Sequence, residues 1–357
     1  MWMFRYFTGA FILTGLGLAA GATLGWNAFG TMAGALSIVL IVTVLCVLEI
    51  SLSFDNAIVN ATILKDMEPR WQRRFLTWGI AIAVFGMRIV FPLLIVAIAA
   101  RLGPIEAVTL AVLEPDRYAR ILTDAHTGIA AFGGMFLLMV GIKYFLDAEK
   151  EVHWVDVVER HLVKFASLEA IEIVIALMLL YGFSRLLPAE ETLTFLTAGI
   201  FGLVTFIAVH ALGGFMAVPE ARMQAVHRAG FASFLYLELL DASFSFDGVI
   251  GAFALSNNLF VIAIGLGVGA MYVRSMTVML VERGTLAEYR YLEHGAFWAI
   301  LALALIMLTQ TVQHIPEVVT GLIGATLIGA ALVSSVRHNR RSSPGGGQIS
   351  GLAQKPL

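Results

Sequence analysis

Long apolar runs alternate with short polar breaks through most of this chain. A helix needs roughly 20 apolar residues to cross the hydrocarbon core of a bilayer. Hydropathy locates ten such runs, at about 7–25, 33–63, 75–100, 126–146, 168–187, 193–212, 230–256, 259–281, 295–311 and 316–336. The pattern predicts an all-α polytopic membrane protein with about ten transmembrane helices. The first run follows Arg5 but is longer than a signal-peptide core, so a retained helix is expected. The stretch from Arg101 to Asp124, with Pro104, Pro115 and several charges, reads as a loop with a short amphipathic helix. Residues 337–357, rich in Ser, Gly and Pro, have no apolar period and are expected to be a disordered cytoplasmic tail.

Composition sharpens the solvent. The chain is 59% hydrophobic and only 13% charged, with a mean hydropathy of +0.87. Soluble domains carry about 25% charged residues, so lipid must cover much of this surface. The basic residues then set orientation. With the N-terminus in the cytoplasm, Lys65, Arg70, Arg73, Arg74, Lys150, Arg160, Lys164, Arg222, Arg228, Arg283, Arg290, Arg337, Arg340 and Arg341 fall inside. Only Arg101, Arg117, Arg120 and Arg185 fall outside. Both termini are therefore expected in the cytoplasm and the protein in the cell membrane. A net charge of −2 gives no reason to expect a nucleic-acid partner. The single cysteine, Cys46, excludes an intrachain disulfide framework or a thiolate metal cluster.

Two acidic segments lie inside apolar runs. Glu-Ile-Ser-Leu-Ser-Phe-Asp-Asn begins at Glu49, and Asp-Ala-Ser-Phe-Ser-Phe-Asp-Gly begins 192 residues later at Asp241. The constant offset pairs Ser51 with Ser243, Ser53 with Ser245, Phe54 with Phe246 and Asp55 with Asp247. Looser landmarks recur: one arginine in the following run, Arg88 or Arg274, and a histidine opening the next, His126 or His294. The motif runs are the second and seventh, so they cross in opposite directions. That is a five-plus-five inverted repeat, with halves about 1–187 and 188–336. Secondary transporters built this way place substrate near the midplane, where the halves meet.

Carboxylates at membrane depth cost at least about 2.5 kcal/mol each and mark ion or proton pathways. On a straight helix Glu49, Ser53 and Asn56 share one stripe and Ser51 and Asp55 another; Glu238, Asp241, Ser245 and Gly248 share one in the second copy. Acids six apart either serve different neighbours or turn inward together where the helix unwinds. Carboxylate, hydroxyl, amide and backbone oxygens suit Mn²⁺, Mg²⁺ or Ca²⁺. The expected ligands are Glu49, Asp55, Asp241 and Asp247, assisted by Glu238, Ser53, Ser245 and Asn56, with Asn60 as an accessory. Protons are an expected counter-ion, and no prosthetic group is expected. Arg88, Arg274 or Lys143 could pair the acids as structural glue, or lock one conformation. His126, His210 and His294 read as packing or helix-end residues, and His153–His161 as a solvated cytoplasmic helix. Nucleophile elbows, Walker loops and zincin helices are absent, so an enzyme is not expected.

At these motifs the chain resembles the TerC family. The family's first motif, Glu-x-x-Leu-Ser-x-Asp-Asn, is matched by Glu49, Leu52, Ser53, Asp55 and Asn56. Its second, Glu-x-x-Asp-x-x-Phe-Ser-x-Asp-Ser, is matched by Glu238, Asp241, Phe244, Ser245 and Asp247, with Gly248 in place of the last serine. With His126–Phe132 and Tyr291–Ala296, this resembles the TerC-like branch known as DUF475, over most of residues 35–335. The resemblance implies metal-ion efflux, manganese above all. Tellurite, for which the family is named, is an anion that an acidic site would repel. The alternative is a membrane scaffold or assembly factor in metal or tellurium stress, without transport.

Overall fold

Lipid offers a backbone no hydrogen bonds, so each apolar run must satisfy its own N–H and C=O groups as helix. A computed structural model describes residues 2–147, 150, 152–165, 170–215 and 230–342. The helices are α1 (Trp2–Phe29), α2 (Met32–Leu52), α3 (Phe54–Lys65), α4 (Pro69–Ala81), α5 (Phe91–Ala99), α6 (Pro104–Leu113), α7 (Pro115–Asp124) and α8 (His126–Phe145). There follow α9 (Asp156–Phe165), α10 (Ile171–Ser184), α11 (Ala189–Phe215), α12 (Gly230–Phe253), α13 (Leu259–Arg283), α14 (Thr285–Glu288), α15 (Leu292–Gln310) and α16 (Glu317–Ser342). A π-helical segment, Ile82–Val90, joins α4 to α5. The chain is an all-α polytopic membrane protein.

Eight helices among the described residues are long and apolar enough to cross a bilayer: α1, α2, Ile82–Ala99, α8, α11, α13, α15 and α16. The expected fifth and seventh spans differ. Described helix in the fifth is only the 14-residue α10. The seventh, α12, is 24 residues long but carries Glu238, Asp241 and Asp247.

Three local expectations are corrected. The 101–124 stretch forms two helices; the apolar α6 starts at Pro104, where the missing N–H costs nothing, and α7 buries Tyr118 and Leu122. Helix α16 runs to Ser342, so residues 337–342 are not tail. Arg340 and Arg341 in its last turn complement the helix dipole. Residues 343–357 lie outside the described residues. The third correction concerns α9. Its Glu159 is fully buried and accepts from Lys150 Nζ (3.2 Å), the Val155 N–H (3.1 Å) and Trp298 Nε1 (3.2 Å). Burial alone would raise this carboxyl, but the Val155 N–H and Lys150 outweigh it and hold it below the ordinary glutamate range. Burial also lowers Lys150, against the pull of Glu159. His294 Nε2 lies 2.7 Å from the Val152 carbonyl oxygen, so this histidine ties down the same segment.

Burial separates inner from outer helices. The apolar window of α13 is 72% buried and that of α1 only 17%. Helix α8 packs on α11 and α15, and α13 on α1 and α2. Leu16, Leu36, Leu40 and Leu322 point outward, an apolar surface that needs a lipid solvent. Helix α13 approaches α2 through glycine. A Cβ on Gly265 would stand 2.5 Å from Leu45 Cβ, and one on Gly269 2.5 Å from Glu49 Cβ. Helices matched by the repeat also touch, α8 with α15 and the π segment with α13.

Candidate functional site

The first motif sits at a break. Helix α2 ends at Leu52, Ser53 leaves helical geometry (φ −102°, ψ 16°), and α3 starts at Phe54. The Ser53 N–H still donates to the Glu49 carbonyl (3.0 Å), so the chain bends there without unravelling. Its hydroxyl donates to Glu49 Oε1 at 2.9 Å. The second motif lies on the continuous helix α12. One half therefore unwinds by a single residue and the other does not.

Glu49 is 2% exposed and forms a buried ion pair with Arg88. The π segment gives Arg88 its register. Pro92, near the start of α5, has no N–H for the preceding turn and crowds it, which favours a wider turn there. The Phe91 N–H reaches back to the Gly86 carbonyl, and Arg88 Nη1 donates to the Ala83 carbonyl at 2.9 Å. Arg88 Nε has no hydrogen-bond partner.

Asp241, from α12, accepts at Oδ1 from Asn60 Nδ2 of α3 at 2.6 Å. Glu49, Asn56, Asn60, Asp241, Arg88 and Arg274 line one cavity of about 20 Å³, with Thr277 of α13. That holds about one water or one stripped ion. Asn56 Oδ1 and Asn60 Oδ1 are buried without a hydrogen-bond partner among the described residues. Buried polar atoms are nearly always partnered, so two free amide oxygens beside two carboxylates are unusual. They match what a hard cation requires. Arg274 makes no ion-pair contact with a carboxylate among the described residues. It donates to the Phe75 carbonyl and lies 3.6 Å over the Phe75 ring. Glu238 is within electrostatic reach of Asp241 and Arg274, yet both its buried oxygens lack a hydrogen-bond partner.

Asp55 faces elsewhere. It lines a second cavity of about 20 Å³ with Ser51, Phe244, Gly248, Thr320 and Gly324. Its Oδ1 accepts from the Asn56 N–H at 2.9 Å, and a Cβ on Gly324 would stand 3.6 Å from its Oδ2. Gly248 lines this second cavity, and a Cβ there would lie 3.4 Å from Glu49 Oε2 of the first. Gly248 thus lies close to both chambers.

Of the eight ligands expected from the sequence, Glu49, Asn56 and Asp241 share one cavity and Asp55 lines the other. Ser53 positions Glu49, Glu238 lies toward Arg274, and the Ser245 hydroxyl is buried without a hydrogen-bond partner. The side chain of Asp247 lies outside the described residues. Among the described residues, no group of three His, Cys, Asp or Glu side chains is placed to hold a metal ion by itself. The acids are shared out, and amides complete the polar shell. Thr277, Thr320 and Gly324 escaped the sequence reading because a lone Thr or Gly in an apolar helix carries no local signal. Lys143 pairs with Glu172 (3.9 Å), away from the motifs. Glu169 lies outside the described residues.

No curated protein and no solved structure matches the chain. A family model, described as a protein of unknown function (DUF475), matches residues 54–342, which takes in α3, the π segment, α12, α13 and most of the wall of both cavities but not Glu49, Ser51 or Leu52, and the chain belongs to that family.

Proposed function

We propose that the chain is a secondary transporter of the cell membrane that exports a divalent metal cation, Mn²⁺ above all, in exchange for protons. Both termini would be cytoplasmic, and two inverted halves, about 1–187 and 188–336, would rock about the site. The observation that carries this reading is the inner cavity. Carboxylates from α2 and α12 and amides from α3 meet there in buried space, with amide oxygens left unpartnered. That donor set is hard oxygen throughout, which suits Mn²⁺, Mg²⁺ and Ca²⁺ and not Cu⁺. The TerC resemblance of the paired motifs adds the direction and the preferred ion. The Asp55 chamber, reached past Gly248, would be a second stop on the route.

The test is Mn²⁺ flux in proteoliposomes under a pH gradient. Wild-type protein should move Mn²⁺, and Asp241→Asn should abolish movement while unfolding at the temperature of the wild type. Absence of Mn²⁺, Mg²⁺ or Ca²⁺ movement in wild-type vesicles, with either sign of gradient, would overturn the reading.

A further inference from the structure

We infer that Arg88 is an internal competitor for the cation: its guanidinium neutralises Glu49 when the site is empty, and Mn²⁺ must displace it to bind. The inference rests on the transport reading above and assigns the empty state of that same site.

The two arginines of the cavity are held differently. Arg274 lies on the ring and carbonyl of Phe75, within electrostatic reach of Asp241 and Glu238 but in ion-pair contact with no carboxylate among the described residues, whereas Arg88 sits directly on Glu49. Glu49 Oε1 takes both Arg88 and the Ser53 hydroxyl, so this oxygen is saturated in the empty protein. The hydrogen-bond donor on Asp241 is the Asn60 amide, a neutral partner that a cation outbids, with Arg274 acting on it at longer range. A cation therefore meets less competition at Asp241 than at Glu49 Oε1. A buried ion pair kept for stability alone is expected to have its remaining protons satisfied. Arg88 does not meet that condition, since its buried Nε has no hydrogen-bond partner. Its position depends on the π segment, a helix distortion found mostly at functional sites.

Charge gives the pair a task. Glu49 and Asp241 against Arg88 and Arg274 leave the cavity walls formally neutral. A cavity with balanced charge spares the empty carrier the cost of moving Glu49 through lipid uncompensated. Removing the guanidinium should then have opposite effects on two halves of the cycle. The cation binds better, because its rival has gone. The empty protein returns worse, because Glu49 is now uncompensated.

The experiment uses R88Q in proteoliposomes, with Mn²⁺ alone as the probe. Mn²⁺ binding is expected to tighten by about tenfold or more. Net Mn²⁺ efflux is expected to fall at least about tenfold further than Mn²⁺/Mn²⁺ exchange, which does not need the empty carrier to return. Equal loss of exchange and net efflux, or weaker binding, overturns the inference and marks Arg88 as structural. Wild-type behaviour in both assays also overturns it. Should R88Q fail to fold, R88K decides: it keeps the charge but not the planar fork, and is expected to bind Mn²⁺ more tightly than wild type while retaining net efflux. Weaker binding in R88K overturns the inference. Wild-type protein that moves no divalent cation would instead defeat the transport reading itself.

Discussion

Substituting Gly269 by Ala tests whether packing between α13 and α2 controls the site. The new methyl would stand 2.5 Å from Glu49 Cβ, 2.7 Å from its Cγ and 2.9 Å from the Cys46 carbonyl oxygen. Ordinary carbon contacts lie near 3.5–4.0 Å, so α2 must retreat by about 1 Å. Overpacking of this kind costs about 1–3 kcal/mol. Replacing a helical glycine gives back about 0.5–1 kcal/mol, so a net loss of up to about 2.5 kcal/mol is expected. Two controls isolate the terms. Gly15 on α1 has no neighbouring atom within 4 Å of a built Cβ, so Gly15→Ala should show only the favourable part. Gly265→Ala meets Leu45 Cβ at 2.5 Å and should cost as much as Gly269→Ala while leaving the Glu49 carboxyl alone. Chemical unfolding in detergent reads stability, and Mn²⁺ flux reads the site. Gly269→Ala should lose flux out of proportion to its instability, because it shifts Glu49 against Arg88 and Ser53. If Gly269→Ala proves as stable as Gly15→Ala, the close approach of the two helices is wrong. If Gly265→Ala and Gly269→Ala lose flux equally, the link through Glu49 is wrong.

Further outcomes follow from the same contacts. Asn60→Leu leaves buried Asp241 Oδ1 without its amide donor and should cost about 1–3 kcal/mol in unfolding free energy, with weaker Mn²⁺ binding by titration. Gly248→Ser should fold like the wild type, since its Cβ meets Glu49 Oε2 at an ordinary 3.4 Å. The added hydroxyl should change the rank order of Mn²⁺, Mg²⁺ and Ca²⁺ in competition binding. The Glu159 carboxyl is held below its ordinary value in the folded protein, so its stabilisation is present above the unfolded value and lost as pH falls through the folded one. Acid unfolding should show that loss, and Glu159→Gln should be less stable at neutral pH with a flatter acid limb.

Glu159 also shows where reading the sequence stops. It stands between Asp156 and Arg160 in a segment of mixed charge, which is the signature of a solvated face. The partners that bury it, Lys150 and Trp298, come from a loop and from α15, and nothing local announces them. Asn257 and Asn258 are the opposite case. Asparagine favours turns and helix starts by residue type alone, and Asn258 does cap α13, accepting from the Phe260 and Val261 N–H groups.

Hydropathy alone determined that this chain is helical and lives in lipid, because membrane insertion sums apolar area over about 20 residues and tolerates errors of register. The repeat alone located the buried acids, because carboxylates in apolar runs are too costly to be casual. Tertiary structure decided how those acids are used. The one-residue break at Ser53, the π turn under Arg88 and the approach of Gly269 to Glu49 send Glu49 and Asp241 to one cavity and Asp55 to another. A helix turns by 100° per residue, so a shift of one residue reassigns a side chain to a different neighbour. Contacts between helices far apart in the chain set that shift, and no window on the sequence contains both partners.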